Sequence, residues 1–158
     1  MKTTYLLTSA LLASLLAACG GAGDDPDPTH YDSAFTISAA TDSALNGVYG
    51  NSNTPLSGVN KLERVGATDA CVFSFENIPR AGGGAVAEGS VQYLQDTTTV
   101  HRLQIKLAGT TYEASPVGDS SVSRSGNAVN FVGSVIGGSP TITITGRIPM
   151  RADRPSGC

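Results

Sequence analysis

Tryptophan is absent from this chain of 158 residues, and only 6% of it is aromatic. Charge is scarce too, with Lys, Arg, Asp and Glu together making up 15%. Histidine occurs twice, at His30 and His101, and cysteine three times, at Cys19, Cys71 and Cys158. Each shortage excludes something. A chain with formal net charge −3 and so few cations has no basic face for a phosphate backbone, so nucleic acid is not expected as a partner. Two scattered histidines and no CxxC pair do not build a zinc site, and no metal or cofactor is expected. Nowhere after residue 18 is there an apolar run approaching the ~20 residues that a membrane-spanning helix needs. What remains abundant is Gly (19 residues), with many Ser, Thr and Val. That composition favours short strands and turns over a helical bundle.

Charge is also unevenly placed. Asp24, Asp25, Asp27 and Asp32 fall in a stretch without Lys or Arg. From Phe35 onward nine Lys and Arg balance nine Asp and Glu, so the globular part is formally neutral. Residues 19–33, rich in Gly, Asp, Pro and Thr, read as a flexible acidic linker, and 34–158 as one domain. His30 lies in that linker beside Asp27 and Asp32, where a solvated imidazole is expected rather than a metal ligand.

The N-terminus has its own pattern. Lys2 is followed by an apolar run from Tyr5 to Ala18 with leucine at six positions. The run is too short to span a bilayer and fits the core of a cleaved secretion signal, residues 1–18. It closes on Leu16-Ala17-Ala18-Cys19, which resembles the lipobox of bacterial lipoproteins. The resemblance implies cleavage before Cys19, a diacylglyceryl group on its thiol and a further acyl chain, such as palmitate, on its amine. Two or more chains anchor stably where one does not. Gly20 stands where Asp would signal inner-membrane retention, so the expected location is the outer membrane, facing the periplasm, with the cell surface as the alternative. A tether of about 15 residues reaches at most ~50 Å.

Export also decides the other cysteines. In an oxidising compartment Cys71 and Cys158 are expected to pair, closing a long loop worth roughly 4–5 kcal/mol.

Along the mature chain the apolar period is mostly two. Cys71, Phe73 and Phe75 alternate, as do Leu103, Ile105 and Leu107 against Arg102, Gln104 and Lys106. Val86–Leu94 is expected to pair with Val100–Leu107; Ala128–Ile136 should turn Val129, Phe131 and Val135 inward, and Thr141–Ile148 its isoleucines. Asn77-Ile78-Pro79 is expected to end the Cys71 strand, and the glycines after Arg80 to form a mobile loop. About nine short strands predict an all-β fold, a single antiparallel β-sandwich, with a small calycin-like β-barrel as the alternative.

No catalytic set emerges. His101 shares the parity of Leu103 and Ile105, which suits a rim or core histidine better than a base, and no Gly-x-Ser-x-Gly elbow exists. Nothing selects two of Glu63, Glu76, Glu88, Asp96, Glu113 and Asp119 as a glycosidase pair. Arg147, Arg151 and Arg154 could form an anion-binding edge, but a charged edge that blocks strand aggregation is the simpler reading. The strand at Cys71-Val72-Phe73-Ser74-Phe75 and the ending from Ile144 to Cys158 resemble small β-rich proteobacterial lipoproteins, a likeness that implies no activity. The expectation is a non-enzymatic envelope module, anchored through Cys19, that binds an envelope protein or cell-wall component. A small apolar-ligand carrier and a lysozyme-type hydrolase inhibitor are the alternatives.

Overall fold

A computed structural model describes residues 30–64 and 66–158, with only the backbone described for 30–33. The expected signal segment, Cys19 and most of the expected linker lie outside the described residues. The ten described strands are β1 (His30–Ser38), β2 (Gly47–Pro55), β3 (Asn60–Leu62), β4 (Ala70–Pro79), β5 (Val86–Leu94), β6 (Val100–Leu107), β7 (Thr110–Ala114), β8 (Ser120–Ser123), β9 (Ala128–Ile136) and β10 (Ile142–Pro149). β1 opens four residues before the expected domain start at Ala34, with His30 opposite Pro55. A 3-10 turn at Ser43–Leu45 is capped by Asp42, whose side chain accepts from the Ala44 amide.

The strands form two antiparallel five-stranded sheets, ordered β2-β1-β10-β9-β8 and β3-β4-β5-β6-β7. They pack as a sandwich and do not close into a barrel. At one corner β2 and β4 touch through backbone bridges at Tyr49/Arg80 and Leu56/Phe75. At the other, the Gly137 amide donates to the Glu113 carbonyl at 3.0 Å.

The period-two pattern explains the core. Cys71, Phe73 and Phe75 on β4 and Leu103, Ile105 and Leu107 on β6 are buried, while Arg102, Gln104 and Lys106 face out. Phe35 stacks on Tyr49 at 5.5 Å, and Phe73 meets Tyr93 edge-on at 6.5 Å. Both tyrosine hydroxyls are satisfied inside the protein, Tyr49 donating to the Leu45 carbonyl and Tyr93 to that of Cys158, each at 2.9 Å. Each large apolar side chain removed from water contributes on the order of 1.5–3 kcal/mol.

One expectation about strand detail fails, at a bulge. Val135 is 59% exposed, and Ser134 takes the inward place instead. The register slips by one residue at Gly133, which has φ 81°. One extra residue in a strand sends every following side chain to the other face. Ser134 tolerates the interior because its hydroxyl donates to the Asp119 carbonyl at 2.7 Å. β4 ends at Pro79, as expected of the Asn77-Ile78-Pro79 segment, although Asn77 takes φ 56° in a bulge opposite Glu88 before that end.

Gly146 lies between Phe35 and Phe131 in the register and has φ 125°. A Cβ there would stand 2.6 Å from the Ala34 carbonyl oxygen and 2.7 Å from the Phe35 Cα, both backbone atoms that cannot move aside alone. Gly146→Ala is expected to destabilise the fold by about 2–3 kcal/mol, seen as a lower urea midpoint with an unchanged m-value.

Candidate functional site

The C-terminal tail leaves β10 in one sheet and ends on the other. Cys158 bonds to Cys71 of β4, with their Cα atoms 5.7 Å apart and both residues buried. Around this bond lies a dense polar clasp. Tyr93 donates to the Cys158 carbonyl, and the Arg124 guanidinium lies 5.6 Å from the Tyr93 ring centroid. Arg124 also donates to the carbonyls of Leu94, Gly157 and Thr97. Burial raises the Tyr93 pKa, although Arg154 and Arg124 act to lower it.

This clasp takes up two of the three arginines weighed as an anion-binding edge. Arg154 donates to Asn127 Oδ1 and to the carbonyls of Arg124 and Arg151. Arg151 is bidentate with Asp153, at 2.8 and 2.5 Å. Their guanidiniums hold the tail in place, and Arg147 stands apart on the outer face of β10 opposite Ala34 and Asn130. The three arginines therefore do not converge on one ligand.

A different arginine faces an open groove. Arg80, at the end of β4, anchors a tight turn: its amide donates to the Ala85 carbonyl and its carbonyl accepts from the Gly83 amide, each at 3.0 Å. Gly82, Gly83 and Gly84 all take positive φ (85°, 88° and 99°), so the glycine run expected to be a loose loop is a turn closed by backbone bonds. The Arg80 side chain crosses Gly47 to donate from Nε to the Asn46 carbonyl at 3.0 Å. A Cβ at Gly47 would stand 2.7 Å from that Nε, so glycine is what lets the guanidinium pass.

The groove has a volume of about 790 Å³, within the range of small-molecule sites. One wall is apolar, from Ala44, Leu45, Ala85, Val86 and Ala108, and the charged groups are Asp42, Arg80, Glu88 and Lys106. Lys106 and Glu88 pair at 2.7 Å across β5 and β6, which raises the Lys106 pKa through its hydrogen bond to Glu88. A second groove of about 430 Å³ continues over the outer face of the sheet, sharing Glu88 and Lys106 and adding Ser74, Glu76, Ser90, Gln104 and Thr111. Phe35, Phe73, Phe75, Phe131, Tyr49, Tyr93 and Tyr112 are all buried, so none of these rings is available to stack on a sugar or a base.

Of the candidate carboxylates, Glu76 and Glu88 line the same second groove, and Glu88 is already paired with Lys106. His101 is half-buried, as a rim histidine is: it is the extra residue of a bulge in which Val100 and Arg102 pair with Tyr93 and Gln92, and Val100 takes the core position. Partial burial, then the charges of Arg64 and Arg102, lower its pKa. Glu113 accepts from Arg102 at 2.7 Å, and that hydrogen bond holds its carboxyl below the usual range. A glycosidase acid needs the opposite shift. Among the described residues no group of three His, Cys, Asp or Glu is placed to hold a metal ion.

No protein-family model, curated protein or solved structure matches this chain.

The disulfide closes a loop of sequence separation 87. Reducing it, or the pair Cys71→Ala and Cys158→Ala, is expected to cost about 4–5 kcal/mol, measured as the difference in urea unfolding with and without reductant. His101 sets a pH dependence. Its depressed folded pKa means that the unfolded chain binds the proton first as pH falls. The corresponding stability is complete above about pH 6.5 and is lost as pH falls toward the folded value. His101→Gln is expected to flatten that part of the profile of urea midpoint against pH.

Proposed function

We propose that this chain is a lipid-anchored lipoprotein of the bacterial cell envelope, whose sandwich acts as a non-enzymatic binding module. The observation that carries the reading is the division of the cysteines. Cys71 and Cys158 are bonded to each other, which leaves the third, Cys19, for the lipid at the end of Leu16-Ala17-Ala18. A disulfide on the core face suits an oxidising compartment, and so agrees with export. The described fold is two packed sheets whose grooves lie at the surface. This favours a partner-binding module over a carrier with an enclosed cavity. Gly20 after the anchor favours the outer membrane, with the domain in the periplasm.

Because β1 begins at His30, the leash is shorter than composition suggested: residues 19–29 reach at most about 40 Å when fully extended. The partner is then an envelope protein or cell-wall component within that distance of the membrane.

Cys19→Ser is expected to abolish incorporation of labelled palmitate and to move the protein from the membrane to the soluble fraction. Equal labelling of the Ser variant and the unaltered chain would defeat the anchor.

A further inference from the structure

We infer that the groove at the end of β4 is a carboxylate-binding site, in which Arg80 grips the free carboxylate of a small aliphatic monoanion such as the C-terminal residue of a short peptide. The inference rests on the binding-module reading and names what that module takes.

Arg80 is the reason. Its Nε is engaged by the Asn46 carbonyl, which fixes the plane of the guanidinium. Its backbone is locked twice, by the bridge to Tyr49 and by the turn to Ala85. Neither terminal nitrogen meets a hydrogen-bond or ion-pair partner among the described residues, yet the side chain lines the groove. A guanidinium held by Nε with its outer edge free matches a carboxylate, which accepts two parallel N–H bonds. Little rotamer freedom is left to lose on binding, because the side chain is already held.

The other groups of the groove narrow the ligand. Lys106 is neutralised by Glu88 at 2.7 Å, so it adds no strong second positive centre. Asp42 and Glu88 balance Arg80 and Lys106 in formal charge across the lining. One carboxylate matches Arg80, and no unpaired positive charge is then left in the lining to balance the second charge of a dianion such as a phosphate monoester. The wall of Ala44, Leu45, Ala85, Val86 and Ala108 offers contact to a few methyl groups and no aromatic platform. Val86 is 47% exposed, so its side chain still has apolar surface for a ligand to cover. A carboxylate on a short aliphatic body satisfies these features together.

The test is an amide-shift titration of the full chain, purified from whichever fraction carries it, so a failure of the lipid anchor leaves the outcome readable. The probes are acetyl-Ala-Ala with a free carboxylate, the same dipeptide as its C-terminal amide, and inorganic phosphate. The free acid is expected to give saturable shifts at the Arg80 side-chain Nε–H and the amides of Gly82–Gly84 and Ala108–Gly109. The amide and phosphate are each expected to bind at least about tenfold more weakly. Arg80→Gln should lose the shifts while keeping the dispersion of a folded β protein. Lys106→Gln, a change at an exposed side chain, leaves Glu88 unpaired in the groove and should weaken the free acid several-fold without touching Arg80. The inference is overturned by equal binding of acid and amide, by tighter binding of phosphate, by unchanged affinity in Lys106→Gln, or by no saturable shift in the unaltered chain.

Discussion

The bond between Cys71 and Cys158 ties the last residue of the chain to the inner face of a strand in the opposite sheet. The tail after β10 must therefore cross from one layer to the other, and its polar backbone needs partners along the way. Arg124, Arg154 and Tyr93 supply them, Arg154 donating to the Arg151 carbonyl near the start of the crossing and Arg124 and Tyr93 to those of Gly157 and Cys158 at its end. A buried carbonyl left alone costs as much as a lost hydrogen bond, so these side chains are committed to the structure. The clasp explains why Arg151 and Arg154 do not converge with Arg147 on one ligand.

At the far end of the same strand the demand is different. β4 begins beside the disulfide and finishes at the corner where it bridges β2, and there the chain reverses through three glycines with positive φ. That turn leaves Arg80 with its Nε held and its outer edge facing solvent. One strand thus carries the fold's covalent tie at its start and the candidate binding arginine at its end. The rigid sandwich between them gives the groove a fixed shape, which suits a site that binds without rearranging.

Much of this was legible beforehand. The alternation in β4, β6 and β10 identified the core face, and the pairing of Val86–Leu94 with Val100–Leu107 follows from their adjacency and the turn between them. The cysteine pair was legible as well, from redox compartment and count. What was not legible sits at bulges. Val135 was assigned to the interior by parity and His101 to the rim or core, and in each strand one extra residue shifted the count. Gly133 carries a hint, because a lone glycine inside a strand often marks such a slip. The Val100–Arg102 bulge contains no glycine and leaves no such mark. The groove was missed for a related reason: its walls come from the 3-10 turn, β4, β5 and the β6–β7 turn, segments that meet only after the sheets pack.

Some properties of this protein depend on nearest neighbours along the chain, and these the sequence determines by itself. They are the all-β character, the neutral domain behind an acidic stretch, the faces of unbroken strands, and the short apolar run ending at Cys19 from which the proposed anchor is read. Others depend on which strands meet, and only the tertiary structure decides them: the choice of sandwich over barrel, the inward turn of Ser134, and the division of the arginines. Arg124 and Arg154 met carbonyls left open by the crossing tail, whereas Arg80 met only one. That difference is set by where the tail and the β4 turn come to lie in the folded chain, which no local pattern encodes.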